Sequence, residues 1–284
     1  MWKDRHSLGA FLCILVIVLA GFMYIFKIWN MDLVSLWFFA LAGLLGFLIV
    51  VGLGVTGRWA GILVDSRNRF SLARLQLVLW TILILSAYAT AVSSNLRIAL
   101  TSMPINSTEV VHAVSIAMPE QVWLLMGIST TSIVGSSLIL STKKDQSTVS
   151  AGGSQQSVDK QITRTVNNLI SQNKIAANTT TQDFKANQVQ GQLVINETPN
   201  KASYSEMLKG DFINNAFQLD LGKIQMFYFT MILVLVYAAA LISLFLAGGK
   251  ILQFPIIDSG MAVLLGISHA GYLAKKDISG VPGT

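Results

Sequence analysis

A short residue pattern occurs twice in this chain, each time at the start of a long apolar run. Residues 71–77 read SLARLQL, and residues 220–226 read DLGKIQM. Both copies have the same order: a helix-capping residue, leucine, a small residue, a basic residue, an aliphatic residue, glutamine and another aliphatic residue. A match at fixed register over this length indicates an internal duplication.

A second pair of segments extends the duplication. Each copy leads to a further apolar run with a related signature, LMGIS at 125–129 and LLGIS at 264–268. Each repeat therefore holds two membrane helices, so both repeats enter the bilayer in the same direction. We expect a parallel duplication around an axis normal to the membrane.

The composition is that of a lipid-embedded chain. It is 53% hydrophobic and 12% charged, whereas soluble domains carry roughly 25% charged residues. About 20 mainly apolar residues span the hydrocarbon core as a helix, and lipid leaves helices as the only way to pair the backbone of such runs. Six runs qualify approximately: 8–26, 33–55, 72–92, 122–140, 222–247 and 256–274.

These runs predict an all-α integral membrane protein with about six transmembrane helices. Residues 1–57 are expected to form an N-terminal transmembrane hairpin, and residues 58–140 the first repeat with its outer loop. Residues 141–218 form a polar cytoplasmic insert, and residues 219–284 form the second repeat.

The basic residues predict the orientation. With the N-terminus inside, the cytoplasmic side holds Lys3, Arg5, Arg58, Arg67, Arg69, Lys143, Lys144, Lys275 and Lys276, and the outer side holds Lys27, Arg97 and Lys250. This asymmetry places both termini of the multipass protein in the cytoplasm. The two-fold signature resembles those of prokaryotic membrane proteins, which implies a location in a prokaryotic inner membrane. The net charge of +6 then reflects topology and contact with anionic lipid, and no nucleic-acid partner is predicted.

The insert is rich in Ser, Thr, Gln and Asn. A flexible joint is expected at 150–154, and most of the insert is too polar to form a core of its own. Two apolar islands depart from this pattern: residues 204–217, and a helically spaced set of Val158, Ile162, Val166, Leu169 and Ile170. They either pack against the membrane domain or a second subunit, or form a landing site for a soluble partner within 150–217.

Two glutamines are predicted to make contacts between helices. Gln76 and Gln225 lie about one turn inside the membrane, where an amide needs a hydrogen-bond partner. We expect both to face the interior and to tie the repeats together or to a neighbouring subunit. The alternative is a pair of pore-lining amides.

Other repeated residues predict ordinary helix packing. Arg74 and Lys223 are expected to reach back to the cytoplasmic interface and meet lipid phosphates. Gly127 and Gly266 belong to rows of small residues that let helices approach closely. His269 is either a packed, hydrogen-bonded side chain or a gate or pH sensor.

Catalytic and cofactor motifs are not found. Residues 52–57, GLGVTG, match the dinucleotide fingerprint by letter, but a transmembrane run precedes them in place of the required strand. The three histidines lie in different regions without a close partner, so no metal site is predicted. We expect no cofactor and no enzymatic activity.

Two functions remain open from the sequence. The first is a non-enzymatic polytopic protein that forms homo-oligomers and acts as a scaffold or anchor for a soluble cytoplasmic partner. The alternative is an oligomeric ion channel or pore subunit, lined by Ser129, Thr130, Ser132 and Ser136.

Overall fold

The computed structural model describes residues 2–25, 27–28, 30–101, 107–145, 155–171, 176–213 and 215–278. The joint expected at 150–154 and the side chains of Lys3, Arg5, Lys143, Lys144 and Val158 lie outside this description.

Helices account for most of the described chain, which confirms the all-α prediction. A two-stranded antiparallel hairpin joins Val189 to Val194 and Gln190 to Leu193. In chain order the elements are α1 (Trp2–Ile25), α2 (Leu33–Thr56), α3 (Leu72–Thr101), α4 (Ser107–Ala113), α5 (Glu120–Asp145), α6 (Gln155–Ser171), α7 (Thr181–Gln188), β1 (Val189–Gln190), β2 (Leu193–Val194), α8 (Leu221–Ala247) and α9 (Ser259–Ile278). Short 3₁₀ turns lie at Gly61–Leu63, Pro199–Lys201 and Tyr204–Leu208.

Several helices are long and apolar enough to cross a membrane. In the described part of the chain there are four of them: Leu33–Thr56, Leu72–Thr101, Glu120–Thr142 and Leu221–Ala247. They correspond to the second, third, fourth and fifth of the six predicted runs. The first run forms α1, whose apolar part Gly9–Ile25 is shorter, and the sixth forms α9. These helices indicate an association with membrane.

The chain divides into two compact units. Unit 1 comprises Met1–Ile62, Leu75–Ile128 and Phe229–Leu265, and unit 2 comprises Leu63–Arg74, Ser129–Tyr228 and Gly266–Thr284. Four helices, α3, α5, α8 and α9, contribute residues to both units.

Unit 1 has an apolar core built around large aromatic side chains. Trp37, Trp80 and Tyr237 are each at most 3% exposed, and the rings of Trp80 and Tyr237 lie 6.1 Å apart. The Trp37 indole N–H donates to Ser86 Oγ at 2.9 Å. A buried indole needs such an acceptor, so this bond fixes α2 against α3.

The glycines of residues 52–57 have a structural role in the backbone at the end of α2. Gly57 ends α2 with a φ of 73° and donates its N–H to Leu53 O, a left-handed cap that glycine adopts without strain. A Cβ on Gly52 would lie 3.1 Å from the backbone N of Gly61, and one on Gly61 would lie 2.6 Å from Gly52 O. The motif therefore allows a tight return of the chain after α2.

Unit 2 contains a core made by the polar insert, which differs from the expectation of a largely coreless segment. Ile162, Val166 and Leu169 on α6 pack with Phe184 on α7, and with Val194, Ile213 and Ala216. The two apolar islands thus pack against each other. Two further apolar side chains, Phe184 on α7 and Val194 on β2, pack between the islands and join them into one core.

Candidate functional site

The centre of unit 2 is a buried carboxylate surrounded by three cations. Asp211 is 5% exposed. Its Oδ1 accepts a hydrogen bond from Arg67 Nη2 at 2.9 Å, and its Oδ2 lies 3.1 Å from Lys223 Nζ and 3.0 Å from Lys276 Nζ. These four residues, here called the Asp211 cluster, are all at most 8% exposed.

A tight loop before α3 positions Arg67. Residues Val64 and Phe70 pair as an antiparallel bridge. Within the loop, Asp65 Oδ2 accepts from Arg67 Nε at 2.9 Å and from Nη2 at 2.7 Å, while Asp65 Oδ1 accepts from the backbone N–H groups of Arg67 and Arg69. The carboxylate of Asp65 therefore holds the guanidinium in a single orientation towards Asp211.

A second turn positions Asp211. Lys209 pairs with Leu219 across this turn, and the N–H of Gly210 donates to Gln218 O at 3.2 Å. A Cβ on Gly210 would lie 2.0 Å from Asn215 Oδ1, and that oxygen accepts from the backbone N–H of Phe212 at 3.1 Å. Only glycine fits at position 210.

The two lysines have further hydrogen-bond partners. Lys223 Nζ donates to the backbone carbonyl of Lys209 at 2.6 Å. Lys276 Nζ donates to the Tyr272 hydroxyl at 3.0 Å and also to Ser136 Oγ. A buried ammonium group needs such acceptors, and here they come from the insert, from α9 and from α5.

A neighbouring ion pair binds the same loop to the insert. Arg69, 3% exposed, lies with its Nε 3.8 Å from Glu206 Oε1. Glu206 Oε2 accepts from the backbone N–H of Phe70 at 3.2 Å. The side chains of Asn68 and Asn196 each donate to the other's backbone carbonyl at 2.9 Å. The arginines of this loop are therefore buried structural groups.

Charge neutralisation sets the pKa values at the centre. Burial alone would raise the pKa of Asp211, but Lys223, Lys276 and Arg67 outweigh it and hold that pKa well below its usual range. Burial alone would lower the pKa of Arg67, but Asp211 and Asp65 outweigh it and raise that pKa. Both groups are charged at neutral pH, and Asp211 is a poor proton acceptor there.

A cavity of about 200 Å³ adjoins the Asp211 cluster. Its charged lining consists of four basic side chains, Arg67, Arg74, Lys223 and Lys276, and two carboxylates, Asp65 and Asp211. The hydroxyl groups in the lining belong to Ser66, Ser71, Ser136, Ser137, Ser141 and Tyr272. Within the described residues, no group of three His, Cys, Asp or Glu side chains is placed to hold a metal ion.

Comparison of the chain with protein-family models, with curated proteins and with solved structures finds no match.

The two repeated basic residues have different environments. Lys223 is buried and paired with Asp211, in contrast to the expected position at the lipid interface. Arg74 is half-buried and lines the cavity. Sequence reasoning missed Asp211 itself. The signal was an acidic residue between Gly210 and Phe212, within the island at 204–217.

The two repeated glutamines also differ. Gln76 is fully buried and its Nε2 donates to Thr230 Oγ1 at 2.6 Å, joining α3 to α8 within unit 1. Gln225 is exposed. Contact of Gln225 with a neighbouring subunit remains a prediction.

The burial pattern explains this difference. Buried positions recur along α3 at 73, 76, 80, 83, 87 and 91, and along α8 at 223, 226, 230, 233, 237 and 241. The two series are 150 residues apart, whereas Gln76 and Gln225 are 149 apart. One residue rotates a side chain by about 100° around a helix, so Met226 takes the inward position that Gln76 has in the first copy.

The same one-residue shift separates α5 from α9. Buried positions are 122, 125, 129 and 132 on α5 and 262, 265, 269 and 272 on α9. These two series are 140 residues apart, whereas the signatures LMGIS and LLGIS are 139 residues apart. Gly127 is exposed with open space around it, and Gly266 is half-buried. His269 is 3% exposed and takes the position of Ser129 rather than that of Thr130. Its role as a gate or sensor remains a prediction.

Proposed function

We propose that this protein is a non-enzymatic, multipass protein of a prokaryotic inner membrane that acts as an oligomerising scaffold or anchor. Unit 2 would be the folded cytoplasmic platform that engages a soluble partner. The full proposal has six transmembrane helices, both termini in the cytoplasm, and a parallel duplication of a two-helix unit. The matching order of residues 71–77 and 220–226 supports the duplication, although the matched residues differ by one position in their burial register.

The Asp211 cluster is the observation that supports the platform. Asp211 belongs to the insert, Lys223 to α8, Lys276 to α9 and Arg67 to the loop before α3. One carboxylate therefore fastens the insert to three other parts of the chain. Such a fastening folds the insert together with the helix ends that belong to unit 2, which a folded platform requires and a flexible tether does not supply.

The exposed face of α6 is the part of the platform best suited to a partner. Its apolar face is used in the core of unit 2, while Lys160 and Arg164 are exposed. A partner meeting this face would carry acidic groups, since complementary charge speeds association and excludes wrong partners.

The experiment compares proteins that co-purify from membranes in mild detergent. A Lys160→Glu, Arg164→Glu variant reverses the charge of the α6 face without touching the core, whereas deleting the insert would remove Asp211 and all of that core. Ala177→Glu, at another exposed position of unit 2, is the control. We expect a soluble acidic protein to be captured by the wild type and by Ala177→Glu but not by the charge-reversed variant. Identical partner lists would contradict the proposal.

A pore between subunits has less support. Ser129 and Ser132 are fully buried within the protomer, and Ser136 accepts from Lys276. Three of the four hydroxyl groups expected to line a central path are therefore directed elsewhere. Planar-bilayer recording of the purified protein should show no conductance.

The proposal of a non-enzymatic role is supported by the chemistry of Asp211. General-base catalysis needs a group whose pKa lies near the working pH. Three cations hold the pKa of Asp211 well below that range, so its charge is used for structure.

A further inference from the structure

We propose that the cavity beside the Asp211 cluster binds a phosphate group, presented either by a phospholipid headgroup or by a soluble phosphate compound. Anion binding here is independent of whether a soluble partner docks on α6.

The charge of the lining is the first argument. Three buried basic side chains, Arg67, Lys223 and Lys276, face the two carboxylates of Asp65 and Asp211, which leaves a formal excess of one positive charge among these five groups. Both carboxylates already pair with Arg67, and Lys223 and Lys276 share the single carboxylate of Asp211. Buried charge is costly unless it is compensated, so an anion in the cavity would stabilise this arrangement.

The guanidinium of Arg67 is the second argument. Arg67 is 8% exposed and lines the cavity. Its Nε and Nη2 are bound by Asp65 and Asp211, whereas Nη1 is buried and has no hydrogen-bond acceptor among the described residues. A buried guanidinium nitrogen without an acceptor is costly, and the guanidinium fork matches the geometry of phosphate oxygens as well as that of carboxylates.

The size and the hydroxyl groups of the cavity favour a phosphate over water alone. A cavity that holds a single water needs a volume of only about 10–15 Å³, whereas this cavity has a volume of about 200 Å³. Drug-sized ligands occupy about 300–1,000 Å³, so the cavity suits a small group. Ser66, Ser71 and Ser137 place hydroxyl donors in its lining, and these donors can bind the remaining phosphate oxygens.

The location admits both sources of phosphate. The lining includes Leu72 and Arg74 from the first turn of α3, and Leu140 and Ser141 near the end of the apolar part of α5. These residues lie at the ends of candidate membrane spans, where lipid headgroups are found.

The test uses the full-length protein in a neutral detergent. Equilibrium dialysis with radiolabelled inorganic phosphate, at constant ionic strength set by chloride, measures binding of free phosphate. Native mass spectrometry measures retention of phosphatidylglycerol against phosphatidylcholine. Binding of phosphate alone would identify a soluble compound as the source, and retention of phosphatidylglycerol alone would identify a lipid. Binding of neither probe would overturn the proposal.

Three variants separate this site from adventitious binding. Arg67→Lys keeps the charge but removes Nη1, and Arg74→Gln removes a half-buried cation that lies outside the Asp211 cluster. Each should weaken binding by about tenfold or more, the order expected for one hydrogen bond between charged groups. Lys201→Gln removes an exposed charge elsewhere in unit 2 and should leave binding within about twofold.

If Arg67→Lys does not fold, as judged by its elution volume and circular dichroism, Arg74→Gln decides the matter by itself. Equal binding by Arg74→Gln, Lys201→Gln and the wild type would identify an adventitious ion only and would refute the site.

Discussion

Arg67 Nη2 lies 2.9 Å from Asp211 Oδ1, although 144 positions separate the two residues in the chain. The contact joins a loop at the start of the first repeat to the polar insert. It makes the insert part of a folded unit. It also explains why the loop is buried, although its arginines resemble the exposed basic residues that mark the cytoplasmic side of a membrane protein. Removing either partner leaves uncompensated charge on a side chain that is at most 8% exposed.

Asp211→Asn should strongly destabilise unit 2. The substitution leaves three buried cations without their shared carboxylate, and breaking a buried ion pair from one side costs about 3–5 kcal/mol. Chemical unfolding in detergent, followed by far-ultraviolet circular dichroism, measures the change. The control is Glu197→Gln, whose pair with Lys201 is exposed and contributes less than about 1 kcal/mol. Equal effects of the two substitutions would show that the cluster is not structural.

The Asp211 cluster should also make stability depend on acid pH. Because the pKa of Asp211 is lower in the folded protein than the unfolded value of about 3.9, its contribution is fully present above the unfolded pKa. That contribution is lost as the pH falls through the folded pKa. We expect the Asp211→Asn and wild-type stabilities to converge below about pH 4. A constant difference between them from pH 7 to pH 3 would contradict the assignment.

Gln76→Leu and Gln225→Leu should differ although the sequence pattern treats the two residues alike. Gln76 is buried and bonded to Thr230, and hydrogen bonds between membrane helices contribute about 0.6–1.7 kcal/mol. Gln76→Leu should therefore lower the free energy of unfolding by about 1 kcal/mol, and Gln225→Leu should leave the protomer unchanged. Loss of oligomers in Gln225→Leu alone would place that side chain at a subunit contact. A double variant with full assembly and stability would exclude both structural roles.

Gly61→Ala tests the tight return after α2. A Cβ there would lie 1.7 Å from Thr56 Oγ1 and 2.6 Å from Gly52 O, and the backbone carbonyl cannot move without disturbing the end of α2. Overpacking of this kind costs about 1–3 kcal/mol, measurable as a lower thermal midpoint. Gly127→Ala, where the added carbon meets open space, is the matched control and should not destabilise the protomer. If both variants melt alike, the close approach is absent.

Labelling of single cysteines tests the orientation. In a Cys13→Ser background, Trp59→Cys, Asn178→Cys and Leu252→Cys each place a thiol at an exposed position. A membrane-impermeant maleimide should reach positions 59 and 178 only from the cytoplasmic side, and position 252 only from the outer side. Reaction of positions 59 and 178 from opposite sides would refute both the topology and the parallel duplication.

The burial register was accessible to sequence reasoning only in part. The repeated glutamine marked the correct helices, α3 and α8, and Gln76 does bond across them. It could not show that Gln225 points away, because a single residue of shift rotates a helix face by about 100°. Only the packed neighbours of each helix decide which face turns inward.

The sequence by itself determined the helices, because lipid admits no other pairing for the backbone of a long apolar run. The tertiary structure decided how the charges are used. Arg67, Lys223 and Lys276 look like interface cations along the chain, and Asp211 looks like a solvated acid. Folding brings them within hydrogen-bond distance, and that juxtaposition depends on two turns and two helix ends that no local pattern connects.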